Sequence, residues 1–214
     1  MTPKEKHRWL VRETSKYLKY YNGCFVECGV KQGTSSRIMA EVLQRTGYLF
    51  DTWTGFPHYS KYDLPNSRRK RRLDSRVRNK KSFYKDCKRS LKKFGVLKYC
   101  TMIKGDICET VPEFVKDNSL VVDMLHIDTD LHDPASISLE LFSPFLSENG
   151  IILMHDYGDC KWPGIKKVVD SFVNNNACFF IDHNSTIGVK VASLSKSDLE
   201  LYSKYINRKW KRCK

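Results

Sequence analysis

Short apolar segments that alternate with amphipathic ones constrain the fold of this chain more than any other feature. Five segments have the length and apolar content of buried strands, and helical spacing of apolar residues follows most of them. This alternation predicts a parallel α/β sheet covered by helices on both faces, that is, a doubly wound fold. The predicted strands are residues 24–28, 48–51, 99–103, 121–128 and 151–154.

The segments between the strands complete one predicted domain that spans residues 1–214. An N-terminal helix is expected at 2–21, and Asp133 and Pro134 have the pattern of a helix cap and a first-turn proline. A closing hairpin is expected at 178–181 and 187–191. The other predicted helices are 34–45, 82–94, 111–116, 134–146, 164–175 and 195–210.

The basic residues are concentrated in two places, although the whole chain of 214 residues has a net charge of +14. Residues 68–93 contain 14 Lys or Arg and two Asp, a local net charge of +12, and the tail 208–214 adds five basic residues. One interpretation is a surface for anions such as nucleic acid, a membrane or a phosphate-bearing substrate. The other is a solvated loop, at about 58–81, and a frayed terminus.

The cellular compartment is predicted from what the sequence lacks. No apolar run reaches the roughly 18–20 residues of a membrane span, and the first residues have no apolar signal-peptide core. The eight cysteines are scattered without a CxxC pair, which favours free buried thiols over disulfides or a zinc site. We therefore expect a cytoplasmic protein.

A glycine-containing turn follows the first predicted strand, where Glu27, Gly29 and Gly33 form the pattern ExGxxxG before a predicted helix. Glycines allow a ligand to approach the backbone, and the helix N-terminus offers N–H groups to a carboxylate or phosphate. The spacing differs from the dinucleotide pattern GxGxxG and from a phosphate-binding loop. It suits S-adenosylmethionine, although a plain strand-to-helix turn can also contain two glycines.

Asp51 ends the second predicted strand, at the distance from the glycine turn where nucleotide-binding α/β folds place an acid for the ribose hydroxyls. A turn or cap aspartate is the alternative. Because both features occur together, the sequence favours a nucleoside cofactor.

Acidic and imidazole side chains follow the fourth and fifth predicted strands: Asp128, Asp130, His155 and Asp156. Adjacent strand ends can open on one cleft, where these groups could hold a hard divalent cation or act as a general base. Helix-capping and loop acids are the alternative. Of the other histidines, His126 is expected in the core, and His7 and His183 on the surface.

Five motifs resemble the macrocin-type O-methyltransferases, which are class I S-adenosylmethionine enzymes that methylate sugar hydroxyls on antibiotics and glycans. The resemblance runs from about residue 23 to 172, and it implies a seven-stranded sheet with an antiparallel last strand. It also implies a mobile lid at 58–81 and a sugar or glycan acceptor. The motifs are FVECGVKQG (25–33), FDTWTGFP (50–57), KG (104–105), HIDTDL (126–131) and HDYG (155–158).

The resemblance also implies roles for individual residues. The turn residues would line the methionine end of the cofactor, Asp51 would hold the ribose, and Asp106 and Ile107 would flank the adenine. The implied cofactor-binding residues are Glu27, Gly29, Gly33, Thr34, Ser35, Asp51, Thr52, Gly105, Asp106, Ile107 and Asp128.

For the metal and the base, the resemblance implies that Asp128, His155 and Asp156 bind Mg²⁺ or Mn²⁺ and that Asp130 removes the proton. His155 stands where the family usually has Asp, and imidazole suits Mg²⁺ less well than a carboxylate does. His155 is therefore also a candidate base. His132, at a position where the family often has tyrosine, is a further one.

Two other classes of function remain open on the sequence alone. The basic residues 68–93 are the reason to consider an RNA or DNA methyltransferase, or a non-catalytic nucleic-acid-binding protein on a methyltransferase fold. Against a nucleic-acid methyltransferase, the chain has no Asn-Pro-Pro-Tyr motif and no clear Lys-Asp-Lys-Glu tetrad. The size and the basic lid favour a viral or bacterial glycan-pathway enzyme, and a homodimer is an option that these features leave open.

Overall fold

The computed structural model of this chain describes residues 2–63, 83–117, 119–175, 178–183, 186–191 and 211–212. These residues form six α-helices, eight strands and two short 3₁₀ turns. The helices are α1 (Pro3–Leu18), α2 (Thr34–Leu43), α3 (Phe83–Lys93), α4 (Ile107–Asp117), α5 (His132–Phe142) and α6 (Pro163–Asn175). The strands are β1 (Cys24–Cys28), β2 (Gly47–Asp51), β3 (Cys100–Lys104), β4 (Val122–Ile127), β5 (Leu146–Met154), β6 (Cys178–His183), β7 (Thr186–Val191) and β8 (Lys211–Arg212).

All eight strands belong to one sheet with the order β3-β2-β1-β4-β5-β7-β6-β8. Strands β1 to β5 are parallel, and β7 pairs antiparallel with both β5 and β6. The predicted doubly wound fold is confirmed. The seven implied strands are present in the described residues, with an antiparallel seventh, and the two-residue β8 in the basic tail is an unexpected eighth.

Two apolar cores lie on opposite faces of this sheet. The first contains Leu10 of α1, Ile38 of α2 and Leu91 of α3, so these three helices cover one face. The second joins side chains of α4, α5 and α6, such as Leu139 and Val168, against the other face. Because the first strand lies between helices on both sides, its side chains alternate between the two cores.

The chain reverses its direction of winding between β1 and β4, which are neighbours in the sheet although β2 and β3 separate them in sequence. In open α/β sheets, ligands bind outside the carboxyl ends of the strands at such a switch point. This rule predicts a ligand site at the residues that end β1 and β4.

The predicted boundaries of three elements are wrong, and in each case a specific contact explains the difference. Helix α4 begins at Ile107 rather than 111, because Asp106 caps it by accepting from the Cys108 N–H at 2.9 Å. Helix α5 begins at His132 rather than 134, because the distant Asp63 accepts from the His132 N–H at 2.8 Å. Strand β5 begins at 146 rather than 151 and includes Gly150, where a Cβ would lie 2.8 Å from a carbonyl oxygen of β4.

Several predicted features lie outside the described residues. These are most of the lid at 58–81, the helix at 195–210 and most of the tail at 208–214. Within the described ranges, no helix is long and apolar enough to cross a membrane.

Candidate active site

Two buried polar side chains face each other across the central pair of strands. Glu27 on β1 and His126 on β4 are register partners, and Glu27 Oε1 lies 2.9 Å from His126 Nδ1. The Ser36 hydroxyl of α2 donates to the other Glu27 oxygen. Burial raises the pKa of Glu27, against the opposing effect of His126 and Ser36. Glu27 thus belongs to an internal network, and its contact with a methionine moiety stays a prediction.

Next to this network, one imidazole lies between two carboxylates. His155 Nδ1, after β5, is 2.9 Å from Asp128 Oδ1, after β4, and 2.9 Å from Asp156 Oδ2. Neither contact has hydrogen-bond alignment, so within the described part of the chain this buried nitrogen has no hydrogen-bond partner. Burial disfavours the charged imidazole, but Asp128 and Asp156 outweigh it and raise the pKa of His155 to about 11. The two carboxylates therefore favour a protonated imidazole between them.

Asp130 has the opposite electrostatic environment. Burial and then the negative charges of Asp128 and Asp156 raise the pKa of Asp130 well above its ordinary value, and a hydrogen bond to Asp156 acts in the same direction. By contrast, His155 holds the pKa of Asp128 below its usual range, although burial opposes this. Asp130 thus has a higher affinity for a proton than Asp128.

His7 also lies in this group, so the expectation that it is a surface residue is wrong. Its ring centroid is 4.3 Å from that of His155 and 5.1 Å from that of His126, and the side chain is buried. Burial, followed by the charge of His126, lowers the pKa of His7 to about 3. The sequence did contain a signal, because positions 7, 10, 11 and 14 have the helical spacing of one buried face.

Four residues with side chains adopt left-handed backbone conformations at the carboxyl ends of the parallel strands. Their φ angles are 54° for Lys31, 52° for Trp53, 62° for Asp130 and 63° for Asp156. Such conformations cost on the order of 1–3 kcal/mol each and are found preferentially at functional sites. Two of the four, Asp130 and Asp156, belong to the carboxylate cluster, so backbone strain and clustered charge occur at the same positions.

The glycine turn after β1 is packed against other parts of the chain. Gly29 has φ +89°, and a Cβ there would lie 2.1 Å from the Asp128 carbonyl oxygen. Gly33 has φ +73°, and its Cβ would meet Cys87 Sγ at 2.6 Å. Both glycines are thus required by protein contacts. Thr34 begins α2 and Ser35 is buried beside it, and no side chain caps this helix, so its first N–H groups remain available to an anion.

Asp51 holds the glycine turn in place. Its Oδ2 accepts from the N–H groups of Val30 and Lys31 at 2.8 and 2.7 Å, and its Oδ1 accepts from the Trp53 N–H at 2.6 Å. The carboxylate therefore positions the turn by two backbone contacts and the residues after β2 by a third. A contact with ribose hydroxyls is an additional role and stays a prediction.

The other predicted cofactor residues have structural roles in the same region. The Thr52 hydroxyl donates to a carbonyl three residues further on at 2.6 Å, and the Gly105 N–H donates to the Asp51 carbonyl at 3.1 Å. Asp106 caps α4, and Ile107 is buried in the second core. Their contacts with an adenine ring stay predictions.

His132 lies in a different setting from the carboxylate cluster. Its Nδ1 is 2.7 Å from Asp133 Oδ1, and its ring centroid is 4.4 Å from that of Tyr62. Both rings line a groove of about 430 Å³ between α5 and α6, where the Lys167 ammonium lies 3.8 Å from the centre of the Tyr62 ring. The structure thus brings together Asp128, Asp130, His155 and Asp156, and places His132 at a separate groove.

A family comparison identifies the class of protein that this fold and site define. Residues 26–157 match the model of a methyltransferase domain family, and the chain belongs to that family. The matched range begins in β1 and ends just after Asp156, so it includes the glycine turn and the carboxylate cluster. The expectation that the chain is a methyltransferase is confirmed. None of the curated proteins compared with the chain matches it.

Solved methyltransferase structures share the fold at low sequence identity. The calicheamicin methyltransferase CalS11 aligns with TM-score 0.74 and 18% identity over 90% of this chain and 80% of its own. The O-methyltransferase NovP aligns with TM-score 0.72 and 20% identity over 87% and 79%. A Podospora anserina methyltransferase bound to S-adenosylhomocysteine, PaMTH1, aligns with TM-score 0.58 and 15% identity over 89% and 82%.

Proposed function

We propose that this chain is an S-adenosylmethionine-dependent O-methyltransferase that acts on a sugar hydroxyl of a glycan or glycosylated metabolite. The observation that carries the proposal is the convergence of Asp128, Asp130, His155 and Asp156 beside the glycine turn, at the switch point of a methyltransferase-family sheet. Another CalS11 structure, with TM-score 0.61, 19% identity and coverage of 90% and 81%, is described as a TDP-rhamnose 3′-O-methyltransferase. That likeness supports a deoxysugar such as rhamnose as the acceptor.

The residues around the turn fit the cofactor. S-adenosylmethionine supplies a methyl group that its sulfonium has already activated. The uncapped first turn of α2 offers N–H groups suited to the cofactor carboxylate. Asp51 keeps the turn in the conformation that presents this helix end, through its contacts with Val30 and Lys31.

Proton removal is the chemical task left to the protein, because a sugar hydroxyl is a poor nucleophile near neutral pH. We assign Asp130 as the base. Its neighbours Asp128 and Asp156 raise its affinity for a proton, so it can accept one from an approaching hydroxyl. The rigid left-handed backbone at Asp130 fixes where that carboxyl lies relative to the cleft.

A divalent cation fits the same residues. Asp128, His155 and Asp156 offer three ligand atoms within 4.8 Å of one another, and His155 Nδ1 lies 2.9 Å from each of the two carboxylates. Mg²⁺ or Mn²⁺ held there would polarise the acceptor hydroxyl as a Lewis acid. His155 would have to release its proton first, and its imidazole favours Mn²⁺ over Mg²⁺.

An acceptor panel with the Asp130→Asn variant tests this function. The enzyme is incubated with labelled S-adenosylmethionine and sugars, nucleotide sugars, oligonucleotides or small phenols. We expect label on a sugar, an at least 100-fold lower rate for Asp130→Asn, and unchanged cofactor affinity by calorimetry. Wild-type turnover of Asp130→Asn would contradict its role as the base.

The same panel distinguishes the remaining alternatives. Label on RNA or DNA instead of a sugar would indicate a nucleic-acid methyltransferase. Polynucleotide binding with a steep salt dependence and no transfer to any acceptor would indicate a non-catalytic protein on this fold.

A further inference from the structure

A second group of ligand atoms lies on the other side of Asp128. His7 of α1, His126 of β4 and Asp128 each offer one atom, and the three atoms lie within 4.8 Å of one another. The three residues come from an N-terminal helix, from the middle of the sheet and from a strand end. The group shares Asp128 with the cluster assigned above and has two ligands of its own.

The environment of His126 is that of a metal-binding imidazole. Its Nδ1 lies 2.9 Å from the Glu27 carboxylate, and we assign the proton to Nδ1 because a carboxylate accepts. The lone pair is then on Nε2. The His126 side chain is 0% exposed, and within the described residues Nε2 has no hydrogen-bond partner. A carboxylate behind the imidazole is the arrangement that orients metal-ligating histidines in proteins.

His7 brings a buried imidazole to the same group. Its ring centroid lies 5.1 Å from that of His126 and 4.3 Å from that of His155, and the side chain is buried. Helix α1 holds His7 in this position through its apolar face, which packs Leu10 and Val11 into the first core. The Ser35 hydroxyl lies 3.5 Å from His7 Nε2, a distance that a small rotation of the ring would change.

We propose that His7, His126 and Asp128 form a second cation site, separate from the Asp128, His155 and Asp156 group and bridged to it by Asp128. Two imidazole ligands and one carboxylate favour borderline ions such as Zn²⁺, Co²⁺ or Mn²⁺ over Mg²⁺, which prefers oxygen. The two sites thus differ in selectivity, since the first has two carboxylates and one imidazole.

An ion at this second site would link α1 to the sheet by coordination. His126 and Asp128 belong to β4 and its carboxyl end, whereas His7 comes from α1, which packs against α2, β4 and β5. An ion that binds the folded state and not the unfolded state raises the free energy of unfolding. The increase is about 2.7 kcal/mol at an ion concentration 100-fold above Kd. The inference does not depend on which acceptor is methylated.

Titration of the whole chain with Co²⁺, without cofactor or acceptor, tests the proposal. We expect two bound ions per chain by calorimetry and visible absorption, and a higher melting temperature. His7→Ala should bind one ion and lose most of the increase in melting temperature. Asp156→Asn, which weakens the first site, should retain the ion that depends on His7. The matched control is His58→Ala, which removes a half-exposed histidine elsewhere and should still bind two ions.

Three results would overturn the second site. One is a wild-type chain that binds a single ion which His7→Ala leaves unchanged. Another is a His7→Ala variant that still binds two ions but binds S-adenosylmethionine more weakly. That result would make His7 a cofactor contact. The third applies if His7→Ala does not fold. Electron spin-echo modulation of Mn²⁺ bound to Asp156→Asn then counts the imidazoles that coordinate the ion, and a count below two would overturn the second site. None of these readouts includes methyl transfer, so their failure leaves the proposed function intact.

Discussion

Asp130 and Asp156 each combine two unfavourable features at one position. Both have positive φ angles, and both carboxyls lie beside further negative charge in a mostly buried cleft. Glycine would relieve the backbone strain but would remove the carboxyl. Asp130 and Asp156 are retained despite the backbone strain. Strained residues of this kind occur preferentially at functional sites, in line with the roles proposed above.

The proton on Asp130 predicts how the rate depends on pH. A base must be deprotonated before it accepts a proton, and neighbouring carboxylates raise the pKa of Asp130. We therefore expect kcat/KM to rise as pH increases through the pKa of Asp130 and to level off above it. Measurement in overlapping buffers from pH 6 to 10 checks this. A rate that falls over that range would contradict Asp130 as the base.

His155 predicts which cation the first site prefers. Replacing it by Asp gives Asp128 and Asp156 a third oxygen ligand and removes a group whose pKa is about 11. We expect His155→Asp to bind Mg²⁺ at least tenfold more tightly and to gain less for Mn²⁺. Calorimetry with both ions on both proteins measures the difference, and His58→Ala is the control. Weaker Mg²⁺ binding by His155→Asp would remove His155 from the ligand set.

At the scale of single residues, the sequence was informative where a residue follows a strand. Asp128, Asp130, His155 and Asp156 could be grouped because parallel strand ends open on one side. His7 was missed, since burial of a polar residue on a helix depends on what packs over it. The extra contacts of Asp51 with the glycine turn were missed for the same reason, because they join residues about 20 positions apart.

At the scale of elements, Asp63, near the start of the predicted lid at 58–81, contacts two helices. It is buried, and its Oδ1 accepts from the His132 N–H that begins α5. Near the start of α6, a Cβ on Gly164 would lie 2.3 Å from the same oxygen and 2.8 Å from the His132 Cβ. The absence of a side chain at position 164 is therefore what allows Asp63 to reach α5.

Gly164→Ala should disturb this contact. The added methyl group must displace Asp63 or the first turn of α5, and such overpacking costs about 1–3 kcal/mol. We expect a lower free energy of unfolding by urea denaturation and a higher acceptor KM, with the affinity for S-adenosylmethionine nearly unchanged. Ser171→Ala, on the exposed side of α6, is the matched control. An unchanged stability would show that the contact is not tight.

The helix boundaries show which elements a local pattern can predict. Strands β1 and β2 and helices α2 and α3 lie within a few residues of their predictions, because their apolar spacing and stop signals are local. The start of α5 depends on Asp63, which is 69 positions away from His132, and no local pattern contains that contact. Gly150, which follows the predicted helix at 134–146, lies inside β5 and allows two strands to approach closely.

At the scale of the whole molecule, the net positive charge comes from residues 68–93 and from the tail 208–214. Outside residues 68–93 and the tail, the chain has a small net negative charge, and the candidate site contributes clustered carboxylates to it. We predict that the basic segment 68–93, with a net charge of +12, attracts an anionic acceptor. The charge pattern thus bears on acceptor choice rather than on the fold.

Replacement of the five basic residues 68–72 by serine tests that relation. For an uncharged sugar we expect kcat/KM to stay within about twofold of wild type, because screened surface charge contributes little to a neutral ligand. For a nucleotide sugar, we expect KM to rise, with a larger ratio at low than at high salt, since long-range attraction is ionic-strength dependent. Steady-state kinetics at two salt concentrations, with both acceptors on both proteins, separates these effects. A large loss of rate on the uncharged sugar would instead show that the segment acts by shape or closure, because removing charge alone cannot slow the methylation of a neutral acceptor to that extent.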